Sequence, residues 1–150
     1  MSPRKSRHVS SLTAGEMLFQ SDAGSLTALT ADRFPILEGL SVKRLVLEPG
    51  SIREPHWHAN ATELTYCLSG DLLVGMLGNA DSFSCFTVGP GQMFTASSGS
   101  LHHIENVGES TAELIVAFRH ECPEDFSFRA SLAAMSDAVL GNTYGLDSTA

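Results

Sequence analysis

G-S-I-R-E-P-H-W-H-A-N-A-T-E-L-T-Y-C-L-S-G, residues 50 to 70, places two histidines two apart, a glutamate five residues further on and a glycine at each end. On a strand, residues i and i+2 project from one face, so His56 and His58 present their imidazoles together. Glu63 can return on the next strand after a short bend. His102 supplies a third imidazole much later in the chain, with Asn106 four residues beyond it. Three histidines and one carboxylate are a donor set for a metal ion, and they can serve as one only if their shared face points inward.

Outward from this stretch, from about Ser25, short segments of β character are punctuated by turns, with no helical period until the end. S-V-K-R-L-V-L-E, E-L-T-Y-C-L-S, D-L-L-V-G-M-L, S-F-S-C-F-T-V and A-E-L-I-V-A-F are the clearest strands. Pro49-Gly50, Ser69-Gly70, Gly78-Asn79, Gly89-Pro90-Gly91 and Gly108 separate them. Their close spacing predicts an all-β barrel or sandwich. After Pro123 the pattern changes: Leu132, Met135 and Val139 recur at helical spacing and Gly141-Asn142 offers a stop, so a short helix is expected outside the barrel. Phe83, Phe86, Phe94 and Phe118 are core candidates.

At 150 residues and 43% hydrophobic, the chain suits one domain. We expect a flexible N-terminal segment over residues 1–20, where Arg4, Lys5 and Arg7 cluster, and a single domain over residues 21–150. The excess of 17 acidic over 9 basic residues argues against nucleic acid as a partner. No run approaches the roughly twenty apolar residues that span a bilayer, and the polar start lacks the apolar region of a signal peptide. A cytoplasmic protein with no membrane partner is therefore expected. Cys67, Cys85 and Cys122 are odd in number and lack metal-finger spacing; Cys67 and Cys85 fall inside strands and read as buried free thiols.

The opening motif, together with G-Q-M-F-T-A-S-S-G-S-L-H-H-I-E-N at residues 91–106, resembles the cupins. The stretch from Ala23 to His58 is similar to one half of a two-cupin oxalate decarboxylase, and H-A-N-A-T-E-L-T-Y-C-L-S-G-D-L-L-V-G resembles the germins. The resemblance implies a double-stranded β-helix, a jelly-roll barrel, with manganese and small carboxylic acids as its chemistry. Two departures stand out: Ser97 replaces a usual proline and Gln92 a frequent aspartate, which loosens the turn leading to His102. Oxalate decarboxylases carry two cupin domains and this chain one, so a homodimer or higher homo-oligomer is expected.

In the resembled half, an arginine beside the metal holds substrate, and Arg53 matches it. A guanidinium presents a rigid fork of donors to a carboxylate. Arg53 is out of phase with His56 on a regular strand, so this reading requires Pro55 to interrupt β pairing. The resemblance also implies an acid on a lid that moves a proton as carbon dioxide leaves. Glu124, in C-P-E-D-F-S-F, falls at the matching distance past the third histidine, with Phe128 in register with an aromatic there; Glu121 and His120 are alternatives. His103 should face away from the site, Asn106 should fix a loop or hydrogen-bond behind the ligands rather than touch metal, and Trp57 should serve packing.

Neutral imidazoles with one hard oxygen donor favour Mn²⁺ or Fe²⁺, with Ni²⁺ and Zn²⁺ compatible. Four protein ligands on a six-coordinate ion leave two positions for a carboxylate and for dioxygen or water. The leading expectation is a manganese-dependent enzyme that decarboxylates or oxidises oxalate or a similar small carboxylate. The alternatives are an iron, nickel or zinc dioxygenase or isomerase of another small molecule, and a non-catalytic carboxylate-binding protein.

Overall fold

The computed structural model describes residues 6–79 and 82–145. Among these residues, eleven strands form two antiparallel sheets. In spatial order, β1 (Glu16–Ser21), β2 (Gly24–Leu29), β3 (Ser41–Leu47), β10 (Ala112–Phe118), β5 (Glu63–Ser69) and β8 (Met93–Ala96) make the larger sheet. The smaller contains β11 (Phe126–Ser127), β4 (Ile52–Trp57), β9 (Leu101–Asn106), β6 (Leu72–Leu77) and β7 (Phe83–Val88). Period-two burial explains why these segments are strands: β10 buries Ala112, Leu114, Val116 and Phe118 and turns the residues between them outward. The inner faces meet in one core, with Leu45, Leu47, Leu114 and Phe118 from the larger sheet and Leu72, Val74 and Ile104 from the smaller. This is the expected all-β jelly-roll barrel with short C-terminal helical structure.

The glycines that bound the opening motif have a backbone reason. Gly50 and Gly70 adopt φ of +73° and +89°, and a Cβ on Gly70 would stand 2.5 Å from that of Ala112. Asn106 ties the loops beside Gly50 together. Its Nδ2 donates to the carbonyls of Leu47 at 2.9 Å and Ser110 at 2.8 Å, and its Oδ1 accepts from the Gly108 N–H. It fixes a loop, as its sequence position suggested.

Several expectations need correction. Strand pairing reaches into the N-terminal segment, where Glu16–Ser21 forms a hydrogen-bonded ladder against β2; Arg4 and Lys5 lie outside the described residues. The C-terminal helix is two short ones, α1 (Phe128–Ala133) and α2 (Asp137–Tyr144). Ser136 caps the second, its side chain accepting from the Val139 N–H, so Gly141-Asn142 lies inside α2 and Gly145, at φ +65°, ends it. Phe83 and Cys85 are exposed rather than buried, since β7 is an edge strand whose pattern is mostly open. Cys67 is buried, and Phe94 and Phe118 belong to the core.

Replacing Asn106 by leucine should strand the buried Leu47 carbonyl and remove the partner of the half-open Ser110 carbonyl and Gly108 N–H. A loss of about 3 kcal/mol is expected from such unsatisfied groups, measurable as a lower urea midpoint at unchanged slope.

Candidate metal centre

The strand pattern of the first motif delivers its side chains to one end of the barrel interior. His56 and His102 are direct cross-strand partners in the β4–β9 ladder, while Glu63 opens β5 on the opposite sheet and His58 stands in the connection between them. All four are buried, and the donor atoms they offer lie within 4.8 Å of one another. Both sheets and one loop therefore converge on a single point.

Each ring is aimed by its other nitrogen. Nδ1 of His56 faces the Glu54 carbonyl at 2.8 Å, that of His58 the Glu124 carbonyl at 3.0 Å, and that of His102 the Ser100 carbonyl at 2.9 Å. A carbonyl only accepts, so each Nδ1 carries the proton and a neutral ring turns its Nε2 lone pair inward. There the lone pairs meet another acceptor. Glu63 Oε2 lies 3.0 Å from His58 Nε2 and 3.3 Å from His102 Nε2, and the latter, fully buried, has no aligned hydrogen bond. Acceptors facing acceptors in a buried site favour a cation between them, a proton or a metal ion. The residues fit a divalent metal on this ground and on their N₃O donor chemistry.

Without a metal the group shifts protons. Burial tends to raise Glu63, but His102, His58 and the Thr65 hydroxyl, which donates to Oε1 at 2.5 Å, outweigh it and hold the carboxyl well below its usual range. Burial tends to lower His102, and Glu63 overrides that and raises it. His56 is pushed down to about 3 by burial, assisted by Arg53 and His102, and is neutral at ordinary pH.

Arg53 reaches the same region because β4 is irregular where Pro55 stands. Arg53 pairs with Ile104 and His56 with His102, a register shift across Glu54-Pro55 that rephases the strand. The Arg53 guanidinium binds Asp125 Oδ2 at 2.5 Å rather than the neighbouring Glu54. Lys43 Nζ approaches the same oxygen at 3.3 Å. Sequence reading missed both Lys43 and Asp125. Lys43 was discoverable, since it shares the inward parity of Leu45 and Leu47 on β3; nothing local marks Asp125, which is delivered by the path of the chain after β10.

Glu124 contributes main chain. Its carbonyl faces His58 and its N–H donates to Asn60 Oδ1 at 2.8 Å, while its carboxylate is exposed and without a hydrogen bond or ion pair among the described residues. Glu121 accepts from the Gly39 N–H and His120 from the Cys122 N–H, both away from the four ligand candidates. His103 faces outward and pairs with Glu105 at 3.1 Å. Trp57 stacks on Phe126 with centroids 5.6 Å apart, which fixes the short β11 beside β4.

A chamber of about 20 Å³, room for about one water, is lined by His56, His58, Glu63, Lys43, Arg53 and Phe118. Outside it, a groove of about 480 Å³ is bordered by Phe19, Phe126, Asp125 and again Arg53.

The family model for Cupin matches residues 10–150. The chain belongs to the cupin family. Among curated cupin relatives, germin-like protein 3-8 of Oryza sativa subsp. japonica is 33% identical over 129 residues, covering 82% of this chain and 57% of that protein. Germin-like protein subfamily 2 member 2 of Arabidopsis thaliana is 34% identical over 117 residues, covering 77% and 53%. The chain thus spans little more than half the length of these relatives. Among solved structures, the formate complex of Lactobacillus farciminis oxalate decarboxylase superposes with a TM-score of 0.85 at 21% identity, over 91% of this chain and 40% of that one. A Bacillus subtilis oxalate decarboxylase with Mn(II) centres gives 0.85 at 22%, over 91% and 36%. This cupin therefore has the fold of one half of those enzymes.

Two measurements check the centre. Titration with Mn²⁺ should give one ion per chain and a thermal midpoint that rises with free metal; Glu63→Gln, similar in shape but uncharged, should weaken binding at least about tenfold. Asp125 is held below its usual 3.8: burial tends to raise it, and Arg53 and Lys43 outweigh that. A depressed carboxylate stabilises above its unfolded value and loses that contribution as pH falls through its folded one. The metal-free chain should accordingly exceed Asp125→Asn in thermal midpoint above pH 3.8, with the gap closing progressively in more acid buffer.

Proposed function

We propose that this cupin is a manganese-dependent enzyme acting on oxalate or a similar small carboxylate, by decarboxylation or by oxidation with dioxygen. His56, His58, Glu63 and His102 would hold the ion, which when bound supplies a Lewis-acidic, redox-capable centre. The observation that carries the reading is the buried set of three inward lone pairs and one carboxylate, walled by the cationic side chains of Arg53 and Lys43. Likeness in fold to oxalate decarboxylases and in sequence to germin-like proteins supports it.

Arg53 would bind a carboxylate through its fork and orient the carbon–carbon bond toward the ligand group. Decarboxylation breaks that bond, releases carbon dioxide and places a proton on the remaining carbon to give formate. Glu124, proposed from the resemblance as the acid of a lid, can deliver this proton only if the connection after β10 rearranges to bring its exposed carboxylate inward. Oxidation needs no proton on carbon: oxalate loses two electrons to dioxygen, which takes up two protons from solvent, giving two carbon dioxide and hydrogen peroxide. A second reading, a binding protein that holds a carboxylate without turnover, is favoured by that same exposure of Glu124 and by the small chamber.

Metal-analysed protein incubated with oxalate in air decides among these. Formate with carbon dioxide indicates decarboxylation, and peroxide with carbon dioxide indicates oxidation. Saturable binding without product supports the second reading, and neither binding nor product at full manganese occupancy removes oxalate. Where turnover occurs, Arg53→Gln should raise KM about tenfold or more, the equivalent of one charge-assisted contact.

A further inference from the structure

Lys43 occupies an inward position of β3, where its neighbours of the same parity are Ser41, Leu45 and Leu47. It is the one lysine or arginine among the buried described residues, at 7% exposure. Burying an ammonium there is costly unless it has an anionic partner. Its nitrogen lies 4.9 Å over the Phe118 ring, whose edge packs on His58 at 4.7 Å between centroids. Lys43 thus lines the small chamber together with His56, His58 and Glu63. Its ionic partner is Asp125 Oδ2, the same oxygen that Arg53 takes.

Two cations from different strands converging on one carboxylate oxygen constitute an anion site, and here its occupant is internal. Asp125 belongs to the connection after β10 and remains partly open to solvent, so it can be exchanged for another carboxylate. The charge count is consistent with such an exchange. A divalent ion with Glu63 and neutral imidazoles leaves one positive charge, and displacing Asp125 exposes those of Lys43 and Arg53 beside it. Asp125 borders the outer groove, and Arg53 lines both that groove and the one-water chamber, so a carboxylate arriving from the groove meets Arg53 and Lys43 by displacing Asp125.

We propose that Lys43 is a second carboxylate-holding residue of the site: a ligand carboxylate takes the place of Asp125 between Lys43 and Arg53, and the site thereby selects dicarboxylates over monocarboxylates. This rests on the metal-dependent carboxylate reading above and adds a specificity determinant to it. The two cations act on the carboxylate remote from the ion, which a monocarboxylate bound to the ion does not possess.

The test is calorimetric titration of the manganese-loaded full chain with oxalate and with acetate, without dioxygen, on the native protein, Lys43→Met and Asp125→Asn. Lys43→Met should weaken oxalate binding about tenfold or more and leave acetate within about twofold. Asp125→Asn, which removes the internal competitor, should tighten oxalate several-fold, a gain that a merely structural role for the ion pair does not produce. Equal weakening of both acids in Lys43→Met, or oxalate affinity unchanged at full manganese content, overturns the inference while leaving the metal reading intact. If the native chain loads manganese and binds neither acid, both readings fall. Should Lys43→Met not fold, the sign for Asp125→Asn decides: tighter oxalate supports the exchange, and unchanged or weaker oxalate overturns it.

Discussion

The arrangement at the end of the barrel depends on one electrostatic conflict. Glu63 Oε2 is buried within 3.3 Å of two imidazole nitrogens whose rings already commit their protons to backbone carbonyls on the other side. Lone pairs facing a carboxylate in a buried site repel, and a positive charge between them resolves the conflict. A proton partly meets the need, as the raised His102 and lowered Glu63 indicate. A divalent ion meets it fully. The fold is built to keep this conflict in place, with donors fixed by both sheets and by the loop between β4 and β5.

Around that centre lies a second charged layer of different character. Arg53 enters through an irregularity in β4, Lys43 through ordinary alternation on β3, and Asp125 through the connection leaving β10. They come from separate parts of the chain and meet at one oxygen. The connection that brings Asp125 also supplies the Glu124 carbonyl that aims His58, so the ion pair with Arg53 and the orientation of the His58 ring are mechanically linked. A change in this segment would be felt at both.

The comparisons divide in an informative way. Germin-like proteins share about a third of aligned positions, whereas oxalate decarboxylase structures share the backbone at much lower identity. A jelly roll tolerates wide sequence change as long as inward positions stay apolar and the turns keep their glycines. Family membership therefore rests on the framework, and the choice of ligand rests on the few side chains inside one end of it.

The sequence by itself determined the family, the β architecture and the four converging side chains, because glycine turns, period-two alternation and His-x-His spacing are local signals with direct geometric meaning. It also carried the irregularity at Pro55, since proline removes a ladder donor whatever surrounds it. Tertiary structure alone decided which acid pairs with Arg53 and Lys43. Glu124 and Asp125 are adjacent and chemically alike, and which one turns toward Arg53 depends on how β11 docks against β4 through Trp57 and Phe126. It decided likewise that β1 pairs with β2 and that Cys85 is open, since edge positions depend on what lies alongside a strand and not on the strand's own residues.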